Sequence, residues 1–222
     1  SCALDLPALP DFTVTGANGF DGAAGTSFTT SSWYNVYAID NGVAPAGLGS
    51  VSATAPTMPS GYGFKCRLGA VSTDGSGNFF RTLQTGNVAT YQAVTSSNTI
   101  GPCQIGSGVL GTYSNTSPTL LSETITGNGE CAPPTAVAIN VLATSNYKNN
   151  TGSSVEAAPS TAYSGTNNGP EGTNGMAYSV WTAGTGSVTA WMTLESSAIY
   201  VASNATGGGF FVVSWRDKVN AN

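Results

Sequence analysis

The sequence predicts an all-β protein, an antiparallel β-sandwich of jelly-roll-like type with long polar loops. Two observations predict it. Short β-branched and aromatic runs bounded by Gly, Pro, Asn and Ser recur along all 222 residues, while a helical 3.6-residue period is almost absent. The chain is 40% apolar yet only 8% charged, against the roughly 25% charge of ordinary soluble domains. It has enough apolar residues to build a core, and it must cover its surface with Ser, Thr, Asn, Gly and Ala.

The expected strands, in order, are Trp33–Ile39, Phe64–Val71, Phe79–Leu83, Val88–Val94, Ala136–Ala143, Met176–Trp181, Val188–Leu194, Ile199–Ala202 and Phe210–Trp215. Met58-Pro59-Ser60-Gly61 fits a type I turn with Pro59 presetting φ, and Asp74-Gly75-Ser76-Gly77 reads as a hairpin loop. Asn41 to Pro59 is rich in Ala, Pro and Gly, with only Val51 to Thr54 extended. Asn149 to Gly175 is too polar to pack by itself, and reads equally as an exposed contact arm or a plain insertion. Gly127-Asn128-Gly129 and Pro133-Pro134 break regular structure. The expected organisation is an N-terminal arm over 1–12, a β domain over 13–127, and a second β half over 128–222 able to pack into the same sandwich.

Charge narrows the function. The net charge is -5, and Lys65, Arg67, Arg81, Lys148, Arg216 and Lys218 form no run, so nothing neutralises a phosphate backbone over several contacts. No apolar stretch approaches the about eighteen residues of a membrane span. Neither nucleic acid nor a membrane is expected as a partner. The start at Ser1 without Met leaves open a processed or omitted N-terminal piece.

One succession of residues carries a resemblance. Trp33-Tyr34-Asn35-Val36-Tyr37-Ala38-Ile39 is followed by Pro56-Thr57-Met58-Pro59-Ser60-Gly61-Tyr62, then by Lys65-Cys66-Arg67-Leu68-Gly69-Ala70-Val71 and Thr73-Asp74-Gly75-Ser76-Gly77. This resembles the β-rich domains of bacteriophage tail fibres and related virion fibres, with their aromatic strand, Pro-Gly-Tyr turn, basic strand and closing hairpin. Pro133-Pro134, Ile199-Tyr200 and Trp215-Arg216-Asp217 are similar to that family's later strands, so the resemblance spans Thr13 to Val219. Cys66 departs from it, standing where a second Arg is usual. The resemblance implies a virion structural protein on the particle exterior (tail fibre, head fibre or capsid decoration), with host attachment, other virion proteins as partners and homotrimeric assembly. The alternative is a secreted glycan-binding or adhesive domain, in which Asn115, Asn149 and Asn204 would be glycosylated.

Chemistry is sparse. Without His there is no Ser-His-Asp or Cys-His activation and no His-ligated metal. Ser145-Asn146-Tyr147-Lys148 matches S-x-x-K but follows a strand-like run where that chemistry needs a helix. Asp21, Asp40, Asp74, Glu195 and Asp217 show no spacing that pairs two acids for glycoside hydrolysis. Asp74, Ser76 and Asn78 begin like a calcium loop but lack its closing Glu. No catalytic residue, metal or cofactor is expected.

Of the four cysteines, alternation places Cys66 with Phe64, Leu68 and Ala70 on a buried face, opposite Lys65 and Arg67. Cys103 and Cys131 flank a Gly- and Ser-rich connection that a bridge would tie down, but assembly in a reducing cytoplasm favours free thiols. Phe210 to Trp215 is apolar on both faces except at Ser214, so it is expected to lie centrally or at a subunit interface. In Val188 to Glu195, the residues Val188, Ala190, Met192 and Leu194 share a core face. The opposite face sets Trp191 among Thr189, Thr193 and Glu195. These four, with Trp215, are the candidate contact residues. For Trp191 a subunit contact is preferred to cover by a loop, and that to a glycan contact.

Overall fold

A computed structural model of the chain describes residues 10–22, 28–92, 103–111, 121–145, 153–160, 178–182, 186–203 and 209–218. Among them every helix or strand is a strand, and no helix is long and apolar enough to cross a membrane. The strands are β1 (Gly19–Phe20), β2 (Trp33–Asp40), β3 (Pro45–Ser50), β4 (Phe64–Ser72), β5 (Thr82–Thr85), β6 (Val88–Tyr91) and β7 (Cys103–Ser107). There follow β8 (Leu121–Thr124), β9 (Ala136–Ser145), β10 (Ser153–Ala158), β11 (Tyr178–Thr182), β12 (Gly186–Thr193), β13 (Ala198–Ser203) and β14 (Gly209–Asp217). The chain forms two compact units, Ser1–Ala89 with Asp217–Asn222, and Thr90–Arg216. The chain passes from one to the other within β6 and β14. The Gly127–Pro134 segment, expected as a boundary, is instead a turn inside the second unit, where Gly127 N–H donates to the Ala132 carbonyl and Glu130 N–H to that of Gly127.

In the first unit, a four-stranded sheet runs β1-β3-β2-β4, antiparallel except for the two-residue β1–β3 pair. One face buries Tyr37, Ile39, Ala46 and Leu48, with Met58 and Tyr62 packed against them. Over the other face lies the segment Pro10 to Phe12, and β3 is shaped for it. A Cβ at Gly47 would meet Pro10 within 2.7 Å, and one at Gly49 would overlap the Phe12 ring. The Gly-x-Gly spacing puts both glycines on one face of the strand, so the segment approaches the backbone closely. Phe12 then joins Phe20, Phe28, Tyr34 and Phe79 in an aromatic cluster, with ring centroids from 4.6 Å (Phe28 to Phe79) to 6.4 Å (Phe12 to Tyr34).

A β-bulge changes the reading of β4. The β2–β4 register runs Val36 with Gly69, then Tyr37 with Arg67, leaving Leu68 as the extra residue. The bulge breaks the alternation, so Arg67 and Ala70 share a face although their numbers differ by an odd count. The expected assignment fails at two residues, Arg67, which is buried at 7% exposure, and Phe64, which is exposed at 71%, while Ala70 is buried and Lys65 exposed as expected. The turn before β4 also differs. Tyr62 N–H donates to the Pro59 carbonyl and Gly61 holds φ 86°, so the turn is type II-like with Gly at its third position, one residue later than expected.

The second unit contains a sheet ordered β11-β10-β13-β8 and another in which β12, β9, β14 and β6 are successive neighbours, with β7 also pairing β14. From β8 to β14 the chain alternates repeatedly between the two sheets, as in a β-sandwich. Ile139, Val141, Met192, Ile199, Val201, Phe210, Val212 and Trp215 are buried. β14 lies between β9 and β6, a central position in its sheet. Two expectations of irregular chain are overturned. Pro45–Ser50, not Val51 to Thr54, is the extended part of the first Ala- and Gly-rich stretch, and Ser153–Ala158 is a strand paired with both β11 and β13. Both are rich in small residues, and sheet neighbours rather than intrinsic preference hold them.

Candidate functional site

Strand β12 pairs with β9 along its whole length and is an edge of its sheet among the described residues. Its register sets Thr189 beside Leu142, Trp191 beside Asn140 and Thr193 beside Ala138. Met192, on the opposite face, is fully buried, so pleating turns the Thr189-Trp191-Thr193 row outward. Both threonines and Glu195 are exposed, while Trp191 is partly buried. Over the indole lies Arg216 of β14, whose guanidinium carbon is 5.2 Å from the ring centroid. That is within the range of a cation–π contact. Strand β9 stands between β12 and β14, so the Arg216 side chain spans it to reach the indole. Arg216 itself is exposed, and among the described residues no carboxylate pairs with it. The Oδ1 atom of Asn140, the register partner of Trp191, is buried without a donor.

The other expected contact residue does not belong here. Trp215 is 0% exposed and packs against Tyr91 at 5.0 Å between centroids with the rings tilted by 59°, so it is a core residue and not a contact residue. The Tyr91 hydroxyl donates to the Cys131 carbonyl, and Cys131 is bonded to Cys103. Cys66 is disulfide-bonded as well, to a partner outside the described residues. The expectations of free thiols and of Cys66 as a simple buried hydrophobe are both corrected; no described cysteine is free.

The candidate acids are occupied separately. Asp217 binds Arg67 in a fork, with Nη1 to Oδ1 at 3.0 Å and Nη2 to Oδ2 at 2.9 Å, while Arg67 Nε donates to Asn35 Oδ1. Asp21 accepts from the Ser50 hydroxyl and the Thr57 amide, and Asp40 from the Gly42 amide. Asp74 Oδ1 accepts from the Ser76 and Asn78 amides, which with the Thr73–Phe79 bridge makes this segment a hairpin loop. Those amide donors hold its carboxyl below the ordinary value, first that of Asn78 and then that of Ser76. Donors occupy the position a cation would need, and among the described residues no group of three His, Cys, Asp or Glu is placed to hold a metal. Ser145 ends strand β9, and Lys148 lies outside the described residues.

Sequence reasoning missed a cavity of about 420 Å3 in the first unit, bounded by Pro10, Phe12, Phe28, Val36, Val71 and Phe79. Its one carboxylate, Asp11, accepts from the Thr13 hydroxyl and amide, so the cavity offers apolar shape with few groups to orient a ligand. The only hint in the sequence is the density of Phe between residues 12 and 28. Compared with known proteins, the chain matches no family model and no curated protein.

Proposed function

We propose that the chain is a structural protein of the bacteriophage particle exterior, a tail fibre, head fibre or capsid decoration, that assembles as a homotrimer and contacts the host surface. The observation that carries the reading is the strand order of the second unit. Counting β6 and β8 to β14 as strands one to eight, the two sheets run 1-8-3-6 and 2-7-4-5. With β5 and β7, which extend the first of these sheets, set aside, that order supports a jelly-roll reading, an architecture of viral capsid and lectin domains. Fold alone does not fix function, and two further features support the same reading. The fibre-like strand at Trp33 and the basic strand at Arg67 are hydrogen-bonded neighbours, and Arg67 grips Asp217 of the closing Trp-Arg-Asp motif. The surface carries few ions, as suits a module built into a large assembly.

A secreted glycan-binding or adhesive domain is the second reading, and the disulfides favour it, since such bonds persist in oxidising compartments. A virion exterior meets the same condition after release from the cell. The test is mass spectrometry of purified particles together with the intact mass of the chain. Stoichiometric presence in particles at the unmodified mass is expected. Glycan mass at Asn115, Asn149 or Asn204, or absence from particles, overturns the virion reading.

A further inference from the structure

We infer that Arg216, held on Trp191, binds the carboxylates of an acidic polysaccharide laid along the outward row of β12. The inference rests on the host-contact part of the proposed function and names the ligand class. Trp191 is not an open platform for a sugar ring, because Arg216 already lies over its indole at 5.2 Å. The exposed guanidinium carries five N–H donors, a set that matches a carboxylate in fork geometry. Trp191 is a positioning residue: the contact with its indole removes freedom from a long side chain.

Three observations select an anionic saccharide. Arg216 is exposed and has no carboxylate partner among the described residues, so its charge is available to an external anion. Thr189 and Thr193 are exposed on either side of it, supplying hydroxyls that donate and accept, as sugar hydroxyls require. Four residues of strand span about 13 Å, enough for two to three sugar rings. A subunit contact fits less well, because closing it over Arg216 would require a partner carboxylate to offset desolvation of the charge.

The test is binding of the full chain, by calorimetry at low and moderate salt, to polygalacturonate, alginate and polysialic acid. Methyl-esterified polygalacturonate, with the same backbone and no charge, is the control. At least one acidic polymer is expected to bind, with the ester form about tenfold weaker or worse if its carboxylates fill the site. Arg216→Gln should lower that affinity by about tenfold or more, Arg216→Lys by less, and Trp191→Ala by several-fold with Trp191→Phe close to wild type. Circular dichroism and light scattering on each variant separate these losses from unfolding and disassembly. The inference is overturned if none of the three acidic polymers binds, or if Arg216→Gln binds like wild type. It also falls if Trp191→Ala breaks up the oligomer while binding persists. None of these outcomes bears on whether the chain is found in particles, which the mass measurement decides separately.

Discussion

Arg67 and Asp217 show how a charge that a bulge turns inward is compensated. Both are almost fully buried, and the fork between them is supplemented by Asn35. Removing one partner of such a pair leaves an uncompensated buried charge, which costs about 3–5 kcal/mol. Asp217→Asn should therefore lower unfolding free energy by about 3 kcal/mol, measured by urea denaturation. The double variant Arg67→Met with Asp217→Leu should recover most of that loss, because it removes both charges at once. A single variant as stable as the parent would mean the pair is hydrated rather than buried. Asn140 poses the opposite case. Its buried Oδ1 meets no donor, so Asn140→Leu, similar in volume, should raise stability by about 1 kcal/mol in the same assay.

At the scale of elements, the glycines of β3 and the Asp74 loop make contrasting demands. Gly49 is small because Phe12 lies on it, so Gly49→Ala must displace the ring and should destabilise by about 1–3 kcal/mol. Gly63→Ala is the control: a Cβ there meets nothing within 4 Å, and its melting temperature should match the parent's. In the loop, amide donors lower the folded-state pKa of Asp74 below 3.8. A depressed carboxylate pKa stabilises the folded form above the unfolded value, and that contribution is lost as pH falls through the folded value. Asp74→Ala should therefore speed amide exchange at Ser76 and Asn78 at pH 6. The difference from the parent should narrow as pH falls below 3.8. A difference independent of pH would assign the effect to side-chain volume instead.

At the scale of the whole molecule, the Cys103–Cys131 bond closes a separation of 28 residues in the second unit. Chain-entropy reasoning gives such a loop about 3–4 kcal/mol of stabilisation through the unfolded state. Replacing both cysteines by Ser should lower stability by about 2–4 kcal/mol. Reductant should destabilise the parent and leave that variant less affected; equal sensitivity of the two would point to Cys66 as the bond that matters. Assembly is checked by light scattering on the purified chain, where three chain masses are expected and a folded monomer at micromolar concentration would count against the trimer. With Asp21, Asp40, Asp74 and Asp217 each engaged in its own hydrogen bonds, the same sample should release no reducing ends from polysaccharide.

The all-β character was legible because pleated strands need β-branched and aromatic residues at period two, and Trp33–Ile39 and Phe210–Trp215 supply them. The outward row of Thr189, Trp191 and Thr193 followed from the same period. Local pattern did not reveal Pro45–Ser50 or Ser153–Ala158, whose small residues become strands only when neighbours complete their hydrogen bonds. Nor could it foresee the bulge at Leu68, since one inserted residue inverts the faces of a strand without changing its composition. The junction of Trp191 with Arg216 lies furthest from the sequence. The two residues meet across an intervening strand, and strand order is set by long-range packing that a local period does not encode.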